Sequence, residues 1–220
     1  MDKKVLILGA GGCAKEVFFV CIACKRKVVG FAEENLGKTK KEMYSLPIFD
    51  INGIEKGFKR GEIELVAAIG SPARKRVISK MKEKGFAFVE KLVHPSVIMA
   101  ANVEIGEGSV ICPGTVMESD IKIGQHVLVN MSCTIAHDCM IEDFATISPG
   151  CNLAGNVSIG KKSFIGAGTT IIEKKSIGEN SIIGAMACVI DNIPSFTLAV
   201  GVPAKVKKVL KEGELWNQEF

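Results

Sequence analysis

One histidine in the C-terminal half of the sequence is placed to accept a proton. His137 lies two residues after Ile135 and is followed directly by Asp138. An imidazole with its ordinary pKa near ~6.5 exchanges protons around neutral pH, and a neighbouring carboxylate can orient or polarise the ring. We interpret His137 as a candidate general base. The alternative is an ordinary surface histidine.

A six-residue repeat surrounds this histidine. From Val93 to Val189 every sixth residue is Ile, Val, Leu or Met, and the frame continues unbroken to Pro194. Neither a helix nor an alternating strand has a period of six, whereas a hexapeptide β-helix does. Three such repeats per coil would stack residues 18 apart, in about five to six coils without projecting loops. Glycines that follow the aliphatic position, such as Gly106 and Gly166, are expected to permit tight corners.

The 18-residue stacking pairs residues that are distant in the sequence. Gly155 is expected one rung above His137. Cys133 and Cys151 are expected on adjacent rungs in small interior positions. Free, buried thiols that fill space are favoured there over a disulfide.

The other two histidines lack a comparable motif. His126 occupies a different place in its hexapeptide and is expected to face solvent, whereas His94, before Pro95, is expected to be structural. A zinc hydrase of the carbonic-anhydrase type would need three converging histidines. Because no two of the three are 18 residues apart, we predict no metal site.

The first 92 residues follow a different pattern, in which apolar runs alternate with helix-like segments. Strands are predicted at residues 5–10, 28–31, 63–69 and 86–92, and helices at residues 13–27 and 71–84. This alternation indicates a small parallel sheet of βαβ units. Within the second helix, Arg74 is interpreted either as a charge for a ligand or as part of a solvated face.

A glycine-rich turn follows the first predicted strand. Gly9, Gly11 and Ala14 fit the G-x-G-x-x-A form of a dinucleotide fingerprint, and Glu33 is near the place of the acid expected on a ribose. About 90 residues are too few for a full dinucleotide fold. A nucleoside diphosphate-sugar, with its phosphates at the helix start, fits better.

Bulk properties narrow the class of protein. The 220 residues are 47% hydrophobic and 24% charged, as in a globular chain, and a net charge of +4 is too small to argue for nucleic acid. No stretch approaches transmembrane length, and the apolar run after Lys4 is too short for a signal peptide. Eight cysteines without a secreted framework favour a reducing, cytoplasmic compartment. The pair Cys21 and Cys24 lies in a helix-like run and is expected to be structural.

Seven short motifs are spread along the chain: GAGGCAKE (9–16), FAEE (31–34), AIGS (68–71), LVHPS (92–96), IAHDC (135–139), AGN (154–156) and VGVPAK (200–205). Together they resemble the PglD/NeuD-like sugar acyltransferases, which acetylate sugars or nucleotide-linked amino sugars with acetyl-CoA. The resemblance covers nearly the whole chain and also implies a left-handed coil and a homotrimer.

The resemblance implies roles for individual residues. His137 would be the base with Asp138 beside it, Gly155 would donate its N–H to the oxyanion, and Asn130 would match a polar active-site position. Acetyl-CoA would lie between two β-helices of the trimer, beside Gly155, Gly166, Gly168, Ala185, Gly201 and Lys205, although Lys205 also fits an ordinary basic tail. The nucleotide sugar would contact Gly9, Gly11, Gly12, Cys13, Glu33, Glu34 and Gly70.

Two positions depart from the pattern of some relatives. A Glu before the histidine and a second His nine residues later are replaced here by Ala136 and Thr146. These changes leave the base intact but leave the acceptor open.

The sequence thus predicts an α/β plus β-solenoid protein. A small Rossmann-like βαβ domain that binds the nucleotide sugar occupies residues 1–92, a left-handed parallel β-helix residues 93–204, and a basic tail residues 205–220. The predicted activity is acetyl-CoA-dependent N-acetylation of a nucleotide-linked amino-deoxysugar, with UDP as the nucleotide. Sugar O-acetylation, as on a sialic acid, and a non-catalytic nucleotide-sugar-binding scaffold remain alternatives.

Overall fold

Two architectures follow one another in the computed structural model, which describes residues 3–34, 41–71 and 74–211. The first is a sheet with helices. Its elements are β1 (Lys4–Leu8), α1 (Gly12–Ala23), β2 (Val28–Glu33), β3 (Glu42–Met43), β4 (Leu46–Asp50), a 3-10 helix (Ile51–Gly53), α2 (Ile54–Gly57), β5 (Ile63–Ala67) and α3 (Arg74–Glu83). In the described part of the chain, no helix is long and apolar enough to cross a membrane.

The N-terminal sheet has the predicted parallel βαβ organisation. Its strand order is β3-β4-β2-β1-β5, and only β3 pairs antiparallel. The central strand β1 is buried on both faces, with α1 packed on one side and α3 on the other, as a parallel sheet requires.

Helix α1 ends at Ala23, earlier than the predicted residue 27. Lys25 adopts a left-handed φ of 56°. The N–H of Arg26 then bonds to Cys21 O, and the N–H of Lys25 bonds to Ile22 O, both at 2.9 Å. This is the hydrogen-bond pattern that closes a helix. The second predicted helix would begin at Ser71 and Pro72; Pro72 lies outside the described residues.

From Lys91 onward, short strands stack into three faces of a triangular coil. Face 1 contains β7 (Ile98–Met99), β10 (Val116–Met117), β13 (Thr134–Ile135), β16 (Asn152–Leu153), β19 (Thr170–Ile171) and β22 (Cys188–Val189). Face 2 contains β8 (Glu104–Ile105), β11 (Lys122–Ile123), β14 (Met140–Ile141), β17 (Ser158–Ile159) and β20 (Ser176–Ile177). Face 3 contains β6 (Lys91–Val93), β9 (Ser109–Ile111), β12 (Leu128–Val129), β15 (Thr146–Ile147), β18 (Phe164–Ile165), β21 (Ile182–Ile183), β23 (Thr197–Val200) and β24 (Lys205–Val209).

The predicted 18-residue stacking is confirmed. Ile135 pairs with Leu153, and Ile147 pairs with Ile165, both in parallel. From Ile111 to Val189 the aliphatic position of each repeat points inward, and these residues form one buried core.

The corners are built differently from the expectation. A left-handed φ occurs three residues after the aliphatic position, for example at Asp138 (59°) and Gly168 (69°), not at the glycines that follow it directly. Those glycines are needed because coils approach closely: a Cβ on Gly106 would lie 2.7 Å from Gly124 C, and one on Gly166 would lie 2.5 Å from Ala185 N. Their role is therefore steric.

Both ends of the coil extend beyond the predicted pattern. One strand was expected at residues 86–92. Instead, Phe88 forms a single bridge with Leu65, and Lys91–Val93 joins face 3. Lys205–Val209, expected as the start of a tail, is a strand that pairs antiparallel with β23. It covers a strand edge that would otherwise be open.

The sheet and the coil meet in apolar contacts, one of which involves α1. Ala14 and Val17 of α1 belong to the same buried cluster as Val110, Cys112 and Leu128 of face 3. The N-terminal sheet is therefore docked on face 3 through α1.

Candidate active site

His137 lies at the corner between faces 1 and 2, where its side chain is 56% exposed. The left-handed backbone of Asp138 turns its carboxylate back, so that Oδ2 is 2.7 Å from Nδ1 of His137. An ionised carboxylate only accepts hydrogen bonds, so Nδ1 carries the proton and Nε2 keeps a free lone pair. This tautomer is the one that a proton acceptor needs.

Nearby carboxylates raise the pKa of His137 above its ordinary value. The hydrogen bond to Asp138 is the main cause. Desolvation opposes it, and the negative charges of Asp138, Glu118 and Glu173 add to it. A base with a raised pKa holds the abstracted proton more strongly.

Gly155 lies directly against the imidazole ring. A Cβ at this position would be 2.7 Å from both Cε1 and Nε2 of His137. The carbonyl of Gly155 accepts from Lys174 N at 3.0 Å, but its N–H has no acceptor among the residues that the structure describes. A free N–H beside a base is the type of donor that stabilises an oxyanion.

Glu118 belongs to this site, although the sequence reasoning missed it. Its Oε2 accepts from His137 N at 3.0 Å, just as Glu142 Oε2 accepts from Lys161 N at another corner. In both pairs the carboxylate is 19 residues earlier, which is the signal that would have found it. The residue 19 before Gly155 is Ala136, which has no acceptor, so the N–H of Gly155 stays free.

A shallow apolar groove of about 670 Å³ runs along face 1 beside His137. Its lining includes Glu118, Ala136 and Ala154, which neighbour His137 and Gly155, and it extends upward to Ile172. A long, thin molecule lying in this groove would pass beside the imidazole of His137 and the N–H of Gly155.

A second cavity, of about 510 Å³, opens at the carboxyl ends of β1, β2 and β5. Glu33 receives two backbone N–H groups, from Ala10 at 3.2 Å and from Glu34 at 2.9 Å, and Glu34 pairs with Arg76. The start of α1 faces this cavity, which suits an anion. All seven residues predicted to bind the nucleotide sugar line it: Gly9, Gly11, Gly12, Cys13, Glu33, Glu34 and Gly70.

Two comparisons with known proteins identify the family. Residues 4–81 match the family model of the PglD N-terminal domain. The whole structure is similar to GDP-perosamine N-acetyltransferase from Caulobacter crescentus in complex with CoA and GDP-perosamine, at 30% identity and a TM-score of 0.84 over 94% of this chain and 98% of that one. The chain belongs to the PglD/NeuD-like sugar acyltransferases.

Two other solved structures are similar over their whole length. The acetyltransferase domain of PglB from Neisseria gonorrhoeae, in complex with acetyl coenzyme A, is 26% identical with a TM-score of 0.85, covering 94% of this chain and 100% of that one. WeeI from Acinetobacter baumannii is 27% identical with a TM-score of 0.85, covering 93% and 100%. A search of curated proteins gives no match.

Membership confirms three predictions. The protein is an acetyltransferase, acetyl-CoA is its co-substrate, and its coil is a left-handed β-helix that follows a small Rossmann-like domain.

The residues predicted for this sugar acyltransferase do not all come together in one chain. Asn130 lies at the corner between faces 3 and 1, where Cys112 Sγ is 3.9 Å from its Oδ1. Gly166, Gly168 and Ala185 follow face 3 strands at the same corner, higher up the coil. His137 and Gly155 occupy the next corner, with face 1 between the two groups. Lys205 pairs with Asp191.

The structure corrects one expectation about exposure, for His126, and removes one of the two alternatives for Arg74. His126 is 1% exposed, because its ring packs against Phe88 and Phe144 at 4.9 and 5.5 Å between centroids. Burial lowers the pKa of His126 to about 4. Arg74 is fully buried between the two parts of the chain, so its interpretation as part of a solvated helix face does not hold.

The remaining candidate residues have local partners. His94 Nδ1 lies 2.8 Å from Ser96 Oγ, and its ring stacks on Phe19. All eight cysteines are free, which confirms buried thiols at Cys133 and Cys151. Within the described ranges, no group of three or more His, Cys, Asp or Glu side chains is arranged to hold a metal ion.

The substitution Asp138→Asn tests the cause of the raised pKa. We expect the pKa of His137 to fall, because the carboxylate that stabilises the protonated ring is gone, so that a larger fraction of the ring is neutral at any given pH. An NMR titration of the ring protons measures this. Glu142→Gln, which removes the carboxylate that accepts from Lys161 N at another corner, should leave the pKa of His137 unaltered. An unchanged pKa in Asp138→Asn would contradict the assignment.

The substitution Gly155→Ala tests the contact between Gly155 and the ring of His137. The new methyl group would overlap the imidazole, so we expect the ring to move by about 1 Å and acetyl transfer to slow by about 100-fold. Initial rates of CoA release measure the loss, and thermal unfolding checks the fold. Gly57→Ala, where nothing lies within 4 Å of the added methyl group, is the control. Full activity in Gly155→Ala would show that the contact is not needed.

Proposed function

We propose that this protein N-acetylates an amino group of a nucleotide-linked amino-deoxysugar. The acetyl group comes from acetyl-CoA, His137 is the general base, and UDP is the proposed nucleotide. The observation that carries the proposal is the corner where His137, oriented by Asp138, lies against Gly155 with its free N–H. Similarity to an enzyme that N-acetylates a GDP-linked amino sugar supports the same reaction class.

The arrangement accounts for each step of acetyl transfer. Nε2 of His137 takes a proton from the neutral amine as its nitrogen attacks the thioester carbonyl. The oxyanion that forms accepts a hydrogen bond from the N–H of Gly155. Collapse breaks the carbon–sulfur bond, and the departing thiolate receives the proton from His137. Two solved structures of the Caulobacter enzyme carry a replaced histidine, which supports a functional histidine in this family.

We assign the two cavities to the two substrates. Residues 1–92 would bind the nucleotide sugar at the glycine turn, with the diphosphate at the start of α1 and the nucleoside near Glu33 and Glu34. The coil, residues 93–204, would carry the transfer chemistry, and the apolar groove on face 1 suits the pantetheine arm. The basic segment from Lys205 supplies cations for the CoA phosphates.

We further propose that the active site is completed in a homotrimer. In a triangular coil, the corner between faces 1 and 2 lies opposite face 3, on which the N-terminal sheet docks. The coil therefore stands between the glycine turn and His137 of the same chain. Exposed apolar side chains recur along face 1, as expected of a subunit contact: Ile98, Val116, Ile172 and Ile190. Light scattering after size-exclusion chromatography should give three chains, and a monomeric active enzyme would contradict the shared site.

The decisive experiment measures release of CoA thiol with several acceptors. We expect faster turnover with a UDP-linked amino-deoxysugar than with its GDP-linked counterpart or with free sialic acids. Turnover only with sialic acid would make the protein an O-acetyltransferase. Binding of nucleotide sugars without turnover would favour a scaffold.

The substitution His137→Ala then tests the base. We expect the rate to fall by about 10²- to 10⁴-fold, the typical contribution of general base catalysis, while CoA binding, measured by calorimetry, persists. His94→Ala, at the start of the coil, is the control for loss of a histidine. Wild-type rates in His137→Ala would remove this mechanism.

A further inference from the structure

Arg74 begins α3 at the junction between the N-terminal sheet and the coil, and its side chain is fully buried. Each of its five N–H groups has an acceptor, so no donor of the guanidinium is left unpaired. The bonds are Nε to His126 O (3.0 Å), Nη1 to Ser71 O (3.1 Å) and Thr146 Oγ1 (2.8 Å), and Nη2 to Phe144 O (2.8 Å) and Ala145 O (2.7 Å).

These acceptors are all neutral. In the part of the chain that the structure describes, no carboxylate forms an ion pair with Arg74. Burial lowers the pKa of Arg74 to about 9. The negative charge of a Cys13 thiolate would oppose this shift. A buried cation without a counter-charge is unfavourable by itself and attracts an anion that arrives nearby.

A hydroxyl relay connects this cation to the cavity of the N-terminal sheet. Thr146 Oγ1 accepts from Arg74 and donates to Gly70 O at 2.9 Å. Arg74 also holds the next carbonyl, that of Ser71. Gly70 lines the cavity and faces the glycine turn, because a Cβ on it would lie 3.9 Å from Cys13 Cβ. One wall of the cavity is therefore fastened to β15 of the coil.

We propose that Arg74 and Thr146 are positioning residues for the nucleotide-sugar pocket. They fix the Gly70–Ser71 wall against the coil, and the buried charge of Arg74, close to Cys13, favours the diphosphate at the glycine turn. The inference rests on the proposed use of this pocket for a nucleoside diphosphate-sugar. It adds a coil residue, Thr146, to a binding site whose lining residues all come from the N-terminal part of the chain.

The relay is tested with a pair of substitutions at Thr146. Thr146→Val keeps the shape and removes the hydroxyl, whereas Thr146→Ser keeps the hydroxyl. Calorimetric titration of the full chain with UDP and with GDP should show binding weakened about tenfold in Thr146→Val, because Gly70 O and one guanidinium N–H lose their partner. Thr146→Ser should bind as the wild type does. Thr197→Val, which removes a buried hydroxyl bonded to Pro194 O, is the matched control.

Kinetics separate positioning from general stability. In Thr146→Val the KM for the nucleotide sugar should rise about tenfold, while the KM for acetyl-CoA and kcat at saturation stay at wild-type values. Nucleotide affinity in Thr146→Val equal to that in Thr146→Ser would overturn the proposal.

The charge is tested with Arg74→Gln and Arg74→Lys, each titrated with UDP and with uridine. Arg74→Gln should lose affinity for UDP but keep its affinity for uridine, which has no phosphates, and Arg74→Lys should retain most of the preference for UDP. Equal weakening of both ligands in Arg74→Gln would mean that Arg74 only holds the structure together. Should the Arg74 variants fail to fold, the Thr146 pair decides alone. A wild type that binds neither UDP nor GDP contradicts the proposed function itself, a result distinct from a loss confined to the variants.

Discussion

The parallel stacking of each coil on the next, with partners 18 residues apart, is the constraint on which the other features depend. Backbone bonds such as Asn156 N to His137 O, at 2.9 Å, fix the height of every corner. A slip of one residue would turn the aliphatic column of Ile135 and Leu153 from the core to the surface. The register is therefore strongly held, and with it the contact between His137 and Gly155 on adjacent rungs, roughly 4.8 Å apart.

The same stacking decides which backbone donors are left free. At the corners of His137, Gly155 and Lys161, the second residue after the strand has an N–H without a backbone partner in the next coil. Glu118 supplies one for His137, and Glu142 supplies one for Lys161. Ala136 supplies none for Gly155. Asp138 likewise has two roles, because its left-handed backbone turns the corner while its carboxylate orients the ring. The corner at Gly155 thus differs from those at His137 and Lys161 in lacking a side-chain acceptor for one backbone N–H, that of Gly155.

The sequence was informative where a feature depends on the repeat. The coil, its interior residues and the stacking of Gly155 on His137 all follow from a period of six. The glycine turn was also predictable, because its residues are neighbours in the chain. The separation of Asn130 from His137 also follows from the repeat. Six residues form one face, so a residue seven positions before His137 lies at the previous corner.

The environment of Arg74 and His126 was not predictable in this way. The bonds of Arg74 to the coil join residues 52 to 72 positions apart, and the ring of His126 is covered by Phe88 from outside the repeat. Both residues are buried only because the N-terminal sheet docks on the coil. A local pattern reports the period of a segment, but it does not report which surface another segment will cover. From the sequence alone, an arginine at the start of a helix is therefore predicted to be solvated, because its acceptors lie in a distant segment.

Under the proposed function, the two substrates are held by different parts of the molecule, so docking of the sheet matters for the chemistry. If the nucleotide sugar is held by the sheet and the base by the coil, any rocking between them changes the distance from amine to thioester. Misplacement by about 1 Å is enough to slow such a reaction by about 100-fold. Apolar packing of α1 on face 3 resists separation but is weakly directional. The planar, five-donor guanidinium of Arg74 adds direction, because its bonds fix both distance and angle. A buried cation at this junction thus supplies orientation that the apolar contact lacks, and its location beside the glycine turn would link that orientation to the proposed binding of an anionic substrate.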